Sequence, residues 1–386
     1  MGGRSGSEGV RMMGLRDVFC QERAIDMLQK AYACGRVPHA YIFAGADGVG
    51  RFTTALQWAR LLLCHKPVVA GGFADSCGVC ESCRIFAGGA HPDFAHVYKE
   101  LREYTKDGKG KAAPVEMPID VIREFLVDKI TARPALSPRR VFVVSEGEKL
   151  NNASQNCLLK SLEEPPDFCH IILLCTRLER LLPTTRSRCQ IVRFGPVAVE
   201  RITQKLREMG LAGPAVEFFG RFAAGSIGRA CRWGRLELDG AGIYEAKKAI
   251  VQSLAQLRYG GCLDAAERWI AMGKQIAAVW EKADEGISKS DINRRCQGLL
   301  LEMAVTAIND AMKLALGVAD DIVHADQRGV IQQLAGWMGP EGCGAGVTEG
   351  YEAMRWVESS VNEKLIFEHL LLKLAEPTIM ADRAAG

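Results

Sequence analysis

The sequence lacks any apolar run of the roughly 18 to 20 residues that a bilayer-spanning helix needs. It also lacks a secretory leader: Met1 to Val10 is Gly/Ser-rich without an apolar core, and residues 1–14 read as a disordered lead-in. These absences place the expected site of action in the cytoplasm and away from membranes. A dominant charge is missing too. Lys and Arg number 49 against 46 Asp and Glu, a net +3, which is too small to argue for nucleic acid by itself. No internal repeat is visible. The 14 cysteines are not spaced as a secreted disulfide framework, and a chain of 386 residues needs no such staples. Ten of them, from Cys20 to Cys343, are scattered singly and are expected to be small buried apolar residues.

What is present is an alternation of strands and helices. Ala24, Met27, Leu28, Ala31 and Tyr32 predict a helix between Asp17 and Gly35. Ala40 to Ala44 predicts a strand, Gly45 to Gly50 a glycine-punctuated turn, and Phe52 to Cys64 an apolar helix. Glu103 to Pro114 is polar and predicts a loop; Ile119 to Ile130 predicts a helix. The continuous runs at 140–145, 171–175 and 190–194 predict buried parallel strands, with a helix at Ser154 to Leu162 stopped by Pro165-Pro166. Beyond Pro196 the strand signal vanishes. The expected architecture is an α/β domain with a parallel sheet at 15–196, a small helical region at 197–240, and an all-α region at 241–386. Long helices are expected at Asn293 to Leu316 and Glu349 to Leu374, with the Gly/Pro-rich segment Met338 to Gly346 separating two of the set.

Gly45-Ala46-Asp47-Gly48-Val49-Gly50-Arg51-Phe52 has the glycine spacing of a phosphate-binding loop ahead of a helix. Gly45, Gly48, Gly50 and Arg51 are therefore the candidate nucleotide-contacting residues. The lysine position holds Arg51, however, and the Mg²⁺-ligating hydroxyl position holds Phe52, whose ring offers a hard cation no oxygen. Thr53 and Thr54 are displaced around the helix by about 100° per residue. After the strand at 141–144, where an ATPase places an Asp to hold the metal, the pair is Ser145-Glu146. Two readings stay open: a turn kept for topology alone, or a loop that holds nucleotide without hydrolysing it.

Cys77-x-x-Cys80-x-x-Cys83, with Cys64 upstream, supplies four thiols within twenty residues. Two-residue gaps let thiolates converge on one tetrahedral ion, so zinc is the natural occupant and a closed, structural site the natural role. An iron–sulfur cluster is the rival. The ferredoxin run places a Cys-Pro pair where this chain has Ala87-Gly88. His65 and His91 are possible substitute ligands, and reduced spectator thiols are the remaining alternative.

Several of these segments together resemble the delta prime subunits of bacterial replicative clamp loaders. The likeness is carried by Arg36-Val37-Pro38-His39-Ala40-Tyr41-Ile42-Phe43, by the cysteine knuckle, and by Gly89-Ala90-His91-Pro92-Asp93-Phe94. It continues through Asn152-Ala153-Ser154-Gln155-Asn156-Cys157-Leu158-Leu159-Lys160-Ser161-Leu162-Glu163-Glu164-Pro165-Pro166 and Leu181-Leu182-Pro183-Thr184-Thr185-Arg186-Ser187-Arg188-Cys189. It covers residues 15 to 230 well, and the C-terminal third only in being helical. The resemblance implies an AAA+ fold whose knuckle spans 64–83, a helical lid and an all-helical collar that carries assembly. It implies that Arg188 of the Ser-Arg-Cys motif reaches the γ-phosphate of Mg²⁺-bound ATP on a neighbouring subunit, a task suited to a planar, always-charged guanidinium. It implies gamma/tau-type and delta-type subunits as partners, with the sliding clamp and primed DNA met through the complex. Gly228 stands where active loader ATPases tend to carry a sensing arginine. Read without its neighbours, the pair Arg186 and Arg188 is only two solvated charges ahead of a strand.

Two other functions compete. An active gamma/tau-type ATPase shares the fold and the knuckle, and Arg51, Phe52 and Ser145 count against it. A zinc-ribbon nucleic-acid-binding protein needs a basic, aromatic-studded knuckle, whereas residues 75–86 carry Asp75, Glu81 and a single Arg84.

Overall fold

The structure, a computed structural model, describes residues 14–106, 116–284, 288–318, 322–359 and 361–384. The expected lead-in lies outside the described residues save Gly14, as does most of the expected loop at 103–114. The chain forms two compact units. One runs to Val197 and includes Ser226–Gly228; the other holds Ala198–Gly225 and Arg229 onward.

The first unit is built on seven strands: β1 (Ala40–Ala44), β2 (Val68–Ala70), β3 (Phe73–Asp75), β4 (Phe94–Val97), β5 (Arg140–Val144), β6 (Cys169–Cys175) and β7 (Gln190–Arg193). Five of them form one sheet in the order β4-β5-β6-β1-β7. Every pairing in it is parallel, with Ala40 opposite Ile171 and Val141 opposite His170. The central strands β1, β5 and β6 are apolar without alternation because both sheet faces are covered there, so their side chains are buried whichever way they point, whereas the edge strands β4 and β7 are only partly covered. Tyr41, Phe43, Val141, Val143 and Ile172 enter one core with Trp58. Their neighbours Ile42, Phe142, Val144, Ile171 and Leu173 enter the other with Leu158 and Leu162. Trp58 meets Tyr41 and Tyr32 edge-on at 6.1 Å each, filling the space beneath β1.

Three features differ from expectation. The edge strand β4 was not foreseen. Nor was the antiparallel ribbon β2–β3, whose turn residues Gly71 and Gly72 have φ of 59° and 76°, the type I′ geometry that a two-glycine connection signals. The start of the expected loop is helical instead, since Glu103 and Tyr104 close a short turn, Lys99–Tyr104. Of the scattered cysteines, Cys169, Cys175, Cys262, Cys296 and Cys343 are buried as expected, but Cys34 is exposed and Cys20, Cys157, Cys189 and Cys231 are only partly covered. Cys189 still packs against the core that holds Ile42 and Leu173.

The second unit is helical throughout its described residues, with long helices Cys262–Ala283, Lys289–Ala315, Arg328–Glu358 and Glu363–Ala384. The expected single helix from Glu349 to Leu374 is two. Val361 and Asn362 break it, and the Asn362 carboxamide accepts the Lys364 N–H at 2.9 Å, starting the next helix. The Gly/Pro segment is a kink, not a gap: Gly339 takes φ 65° and Pro340 opens the following turn. Lys247, fully buried, is bonded to Asp326 at 2.5 and 2.6 Å, while His324 meets Asp310 at 2.8 Å. These pairs fix the helix Ile243–Ala255 and the segment around His324 where apolar contacts alone would let them slide. Gly350 lets the helix Arg328–Glu358 approach Lys289–Ala315 closely, since a Cβ there would lie 2.3 Å from Cγ2 of buried Val305. Gly350→Val is expected to destabilise the chain by about 1–3 kcal/mol, the usual range for overpacking, read as a lowered midpoint in thermal or urea unfolding.

Candidate functional site

In a parallel sheet, ligands bind at the carboxyl ends of the strands. Here β1 ends in the glycine loop, β5 in Ser145-Glu146 and β6 in Thr176. Gly45 presses on β7's continuation, where a Cβ would lie 2.6 Å from the Phe194 carbonyl. Gly48 and Gly50 are left-handed, φ 73° and 104°, and the helix Arg51–Leu63 begins directly after them. The loop thus has the backbone of a phosphate cradle.

Its side chains are committed elsewhere. Arg51 is 8% exposed; its Nε donates to the Ala46 carbonyl at 3.2 Å and its guanidinium lies 3.6 Å from the Asp47 carboxylate. Burial lowers its pKa, opposed by Asp47 and Glu148. The Thr54 hydroxyl donates to the Gly50 carbonyl at 2.8 Å, so it is spent within the helix. Phe52 packs at a tilt against His96 with ring centroids 4.9 Å apart, and His96 against Tyr98 at the same distance. His96 also bonds the Ser145 hydroxyl at 2.8 Å, and burial holds its ring well below the usual range, at about 4. Ser145, in the metal-holding position, therefore faces a neutral imidazole. Glu146, left-handed at φ 53°, is ion-paired to Lys149 at 2.5 Å and to Lys99 at 3.8 Å. Glu148 accepts the Thr176 N–H at 3.0 Å. Finally, the Gly228 N–H donates to the Gly48 carbonyl at 2.7 Å, and a Cβ at Gly228 would lie 2.9 Å from the Gly48 Cα. No side chain fits at 228 while the loop keeps this shape.

Arg188 follows the short turn Pro183–Arg186. One of its nitrogens donates to the Thr184 carbonyl at 2.8 Å, and another pairs with Glu163 at the end of the helix Asn152–Glu163. Its side chain is about one-third exposed. The residue that sets this turn against the helix is Gln155, 1% exposed. Its amide donates to the carbonyls of Leu150 and Arg180 at 3.0 and 3.2 Å, and its oxygen accepts the Leu182 N–H at 2.7 Å. Gln155 sits in the most specific run of the sequence but carries no chemistry that composition or spacing flags; a buried position at a helix start, four residues after Asn151, is its only signal.

The structure gathers Cys64, Cys77, Cys80 and Cys83, whose sulfurs all lie within 4.8 Å of one another. Cys64 Sγ is 3.5 Å from Cys77 Sγ and 3.9 Å from Cys80 Sγ. Metal–sulfur bonds of about 2.3 Å in a tetrahedron require sulfurs about 3.8 Å apart, so these residues fit a metal ion. Backbone N–H groups of Cys77, Cys80 and Cys83 point at the preceding sulfurs at 3.3, 3.3 and 3.5 Å, stabilising thiolate charge. Burial pushes the Cys64 and Cys83 thiols up. Burial also opposes ionisation of Cys80, but the N–H groups of Cys83 and His65 and the flanking sulfurs bring it down to about 6. Neither substitute ligand belongs to the group: His65 bonds the Leu136 carbonyl at 2.9 Å, and His91 lies among serines, Ser82 at 3.0 Å and Ser137 at 3.1 Å.

The chain is similar to known proteins over most of its length. A family model described as DNA polymerase III, delta subunit, matches residues 20–198, and one for that subunit's C-terminal part matches 292–376. DNA polymerase III subunit delta' of Escherichia coli K12 is 27% identical over 90% of this chain and 92% of its own. That of Bacillus subtilis 168 is 23% identical over 92% and 96%. DNA polymerase III subunit tau of E. coli is 27% identical over 76% of this chain but 44% of its own length.

Gln155→Ala leaves the Leu182 N–H and the Arg180 carbonyl without their partner. The expected loss is about 1–3 kcal/mol, the cost of an unsatisfied buried polar group, measured as a lowered urea midpoint.

Proposed function

The chain belongs to the DNA polymerase III delta-prime family of clamp-loader subunits, and from that premise we propose that it works without hydrolysing ATP itself and lends Arg188 to the ATP of a neighbouring subunit. The observation that carries the first half is the commitment of every catalytic position to an internal partner. Arg51 is turned back onto its own loop, Phe52 and His96 pack where a metal ligand would stand, and Glu146 is neutralised by Lys99 and Lys149. Mg²⁺ demands an oxygen shell, and the position that follows Arg51 offers it a phenyl ring instead.

Arg188 supports the second half. Its pair with Glu163 is exposed enough to contribute only about 0.2–1 kcal/mol. A triphosphate brought up by another subunit can take over the guanidinium at little cost, whereas Thr184 and the Gln155-anchored turn keep the side chain aimed. In this assignment 15–196 is the AAA+ domain, 197–240 the lid and 241–386 the collar through which gamma/tau-type and delta-type subunits assemble. The sliding clamp and primed DNA are met through the complex. We assign the four thiolates to zinc, which with four protein ligands has no open position and so supplies structure and not catalysis.

The active gamma/tau-type ATPase is the competing reading, favoured by the likeness to tau. It is tested by the isolated chain, which is expected to hydrolyse ATP no faster than buffer; turnover on the order of 1 s⁻¹, ordinary for an enzyme, contradicts the proposal. In the assembled complex Arg188→Ala is expected to slow the neighbouring site by about 10³ to 10⁵, roughly 4–7 kcal/mol of barrier. Arg188→Lys rescues little, because a point charge does not reproduce the planar fork, and Arg186→Ala is milder.

A further inference from the structure

The zinc assignment leaves unexplained a cluster of buried polar groups beside the cysteines. Ser82, next to the ligand Cys83, is fully buried, as are His91 at 5% exposed, Asp93 at 1% and Ser137 at 7%. The hydroxyls of Ser82 and Ser137 both donate to the Leu63 carbonyl, at 2.8 and 2.9 Å. That carbonyl belongs to the peptide joining Leu63 to Cys64. His91 Nε2 lies 3.0 Å from the Ser82 oxygen and 3.1 Å from the Ser137 oxygen, and His91 Nδ1 accepts the Asp93 N–H at 3.1 Å.

His91 Nδ1 accepts, so in the neutral ring Nε2 carries the hydrogen and donates to the serine oxygens. The two serine oxygens also lie 3.1 Å apart, so their hydroxyl hydrogens are shared between the Leu63 carbonyl and each other. Every arrangement of these bonds holds the 63–64 peptide plane in place.

At its other end the cluster reaches the sheet. The Asp93 carboxylate accepts N–H groups from Ala135, Leu136 and Ser137 at 2.6, 2.8 and 2.8 Å, and Arg140 of β5 lies 3.4 Å away. The Asp93 carbonyl accepts the Val141 N–H at 2.9 Å, the first rung between β4 and β5. His65, the residue after Cys64, closes the same loop from its other side through the Leu136 carbonyl. One continuous path therefore runs from a metal ligand, through Leu63, two serines, His91 and Asp93, to the edge strand of the sheet.

We propose that Ser82, His91 and Ser137 are the outer shell of the zinc centre and that, through Asp93, they make edge strand β4 depend on the metal. The proposal rests on the zinc assignment above. An edge strand has one paired side and is the first to fray. Here the bonds that orient Cys64 are the ones that pin the start of β4. Outer-shell partners orient ligands, and losing one typically weakens metal binding 10- to 100-fold.

The test uses the full-length chain loaded with zinc. Zinc affinity is measured by competition with a chromophoric chelator for wild type, His91→Ala and Ser137→Ala, and amide hydrogen exchange is followed with and without zinc. His91→Ala is expected to weaken zinc by roughly 10- to 100-fold and Ser137→Ala by about tenfold. Removing zinc from the wild type is expected to speed exchange at residues 64–97, including β4, while β1 and β6 stay protected. Should His91→Ala not fold, Ser137→Ala carries the affinity arm alone. Wild-type zinc affinity in the folded variants, or exchange at β4 that ignores zinc, overturns the proposal. A wild-type chain that takes up no zinc overturns the zinc assignment beneath it, and is recognised before any variant is made.

Discussion

Burial of both faces of the parallel sheet is the constraint on which the rest of this structure depends. Once the apolar side chains of the central strands β1, β5 and β6 are committed to one core or the other, polar chemistry is left to the strand ends and the loops leaving them. In an ATPase of this architecture those loops turn a lysine, a hydroxyl and a carboxylate outward to Mg²⁺ and phosphate. Here the same loops turn inward. Arg51 bonds Ala46, Thr54 bonds Gly50, Ser145 bonds His96, and Glu146 is paired with two lysines. The backbone of the cradle survives because the glycines are needed for the fold itself: Gly45 is in contact with Phe194, and Gly48 accepts the N–H of Gly228. The proposed loss of hydrolysis without loss of shape rests on that division, since side chains would carry the first and backbone the second.

The parts legible in the sequence were those that a short window contains. The buried strands at 40–44, 140–144 and 169–175 announce themselves as apolar runs, and the cysteine spacing announces convergence on one ion. β4 did not, because Phe94–Val97 is four residues long with only Val97 fully buried, and its register comes from β5 more than forty residues away. The β2–β3 ribbon has a local signal, Gly71-Gly72 between two short apolar stretches, but its strands are three residues each, too short for a periodic pattern. Asn362 was likewise a readable helix start inside what looked like one long helix. The meaning of Gly228 was out of reach: its substitution for an arginine stood out only by resemblance. The physical reason is contact with Gly48, 180 residues earlier, which no local pattern encodes. His91 looked like a spare metal ligand because of where it falls in the sequence; the serines that claim it come from 82 and 137.

Two kinds of interaction thus divide the molecule's labour. Buried hydrogen-bonded networks, around Gln155, His91 and Lys247, fix geometry. The half-exposed pair of Arg188 with Glu163 is weak, which suits the exchange of partners proposed for it. The central claim is that this exchange delivers Arg188 to another subunit's nucleotide. Its most direct measurement is single-turnover release of γ-phosphate in a reconstituted clamp loader where only the ATP site beside this chain is intact. A burst with the wild-type chain and none with Arg188→Ala, at equal assembly and equal bound ATP, is the result predicted here. Equal bursts from the two would contradict it.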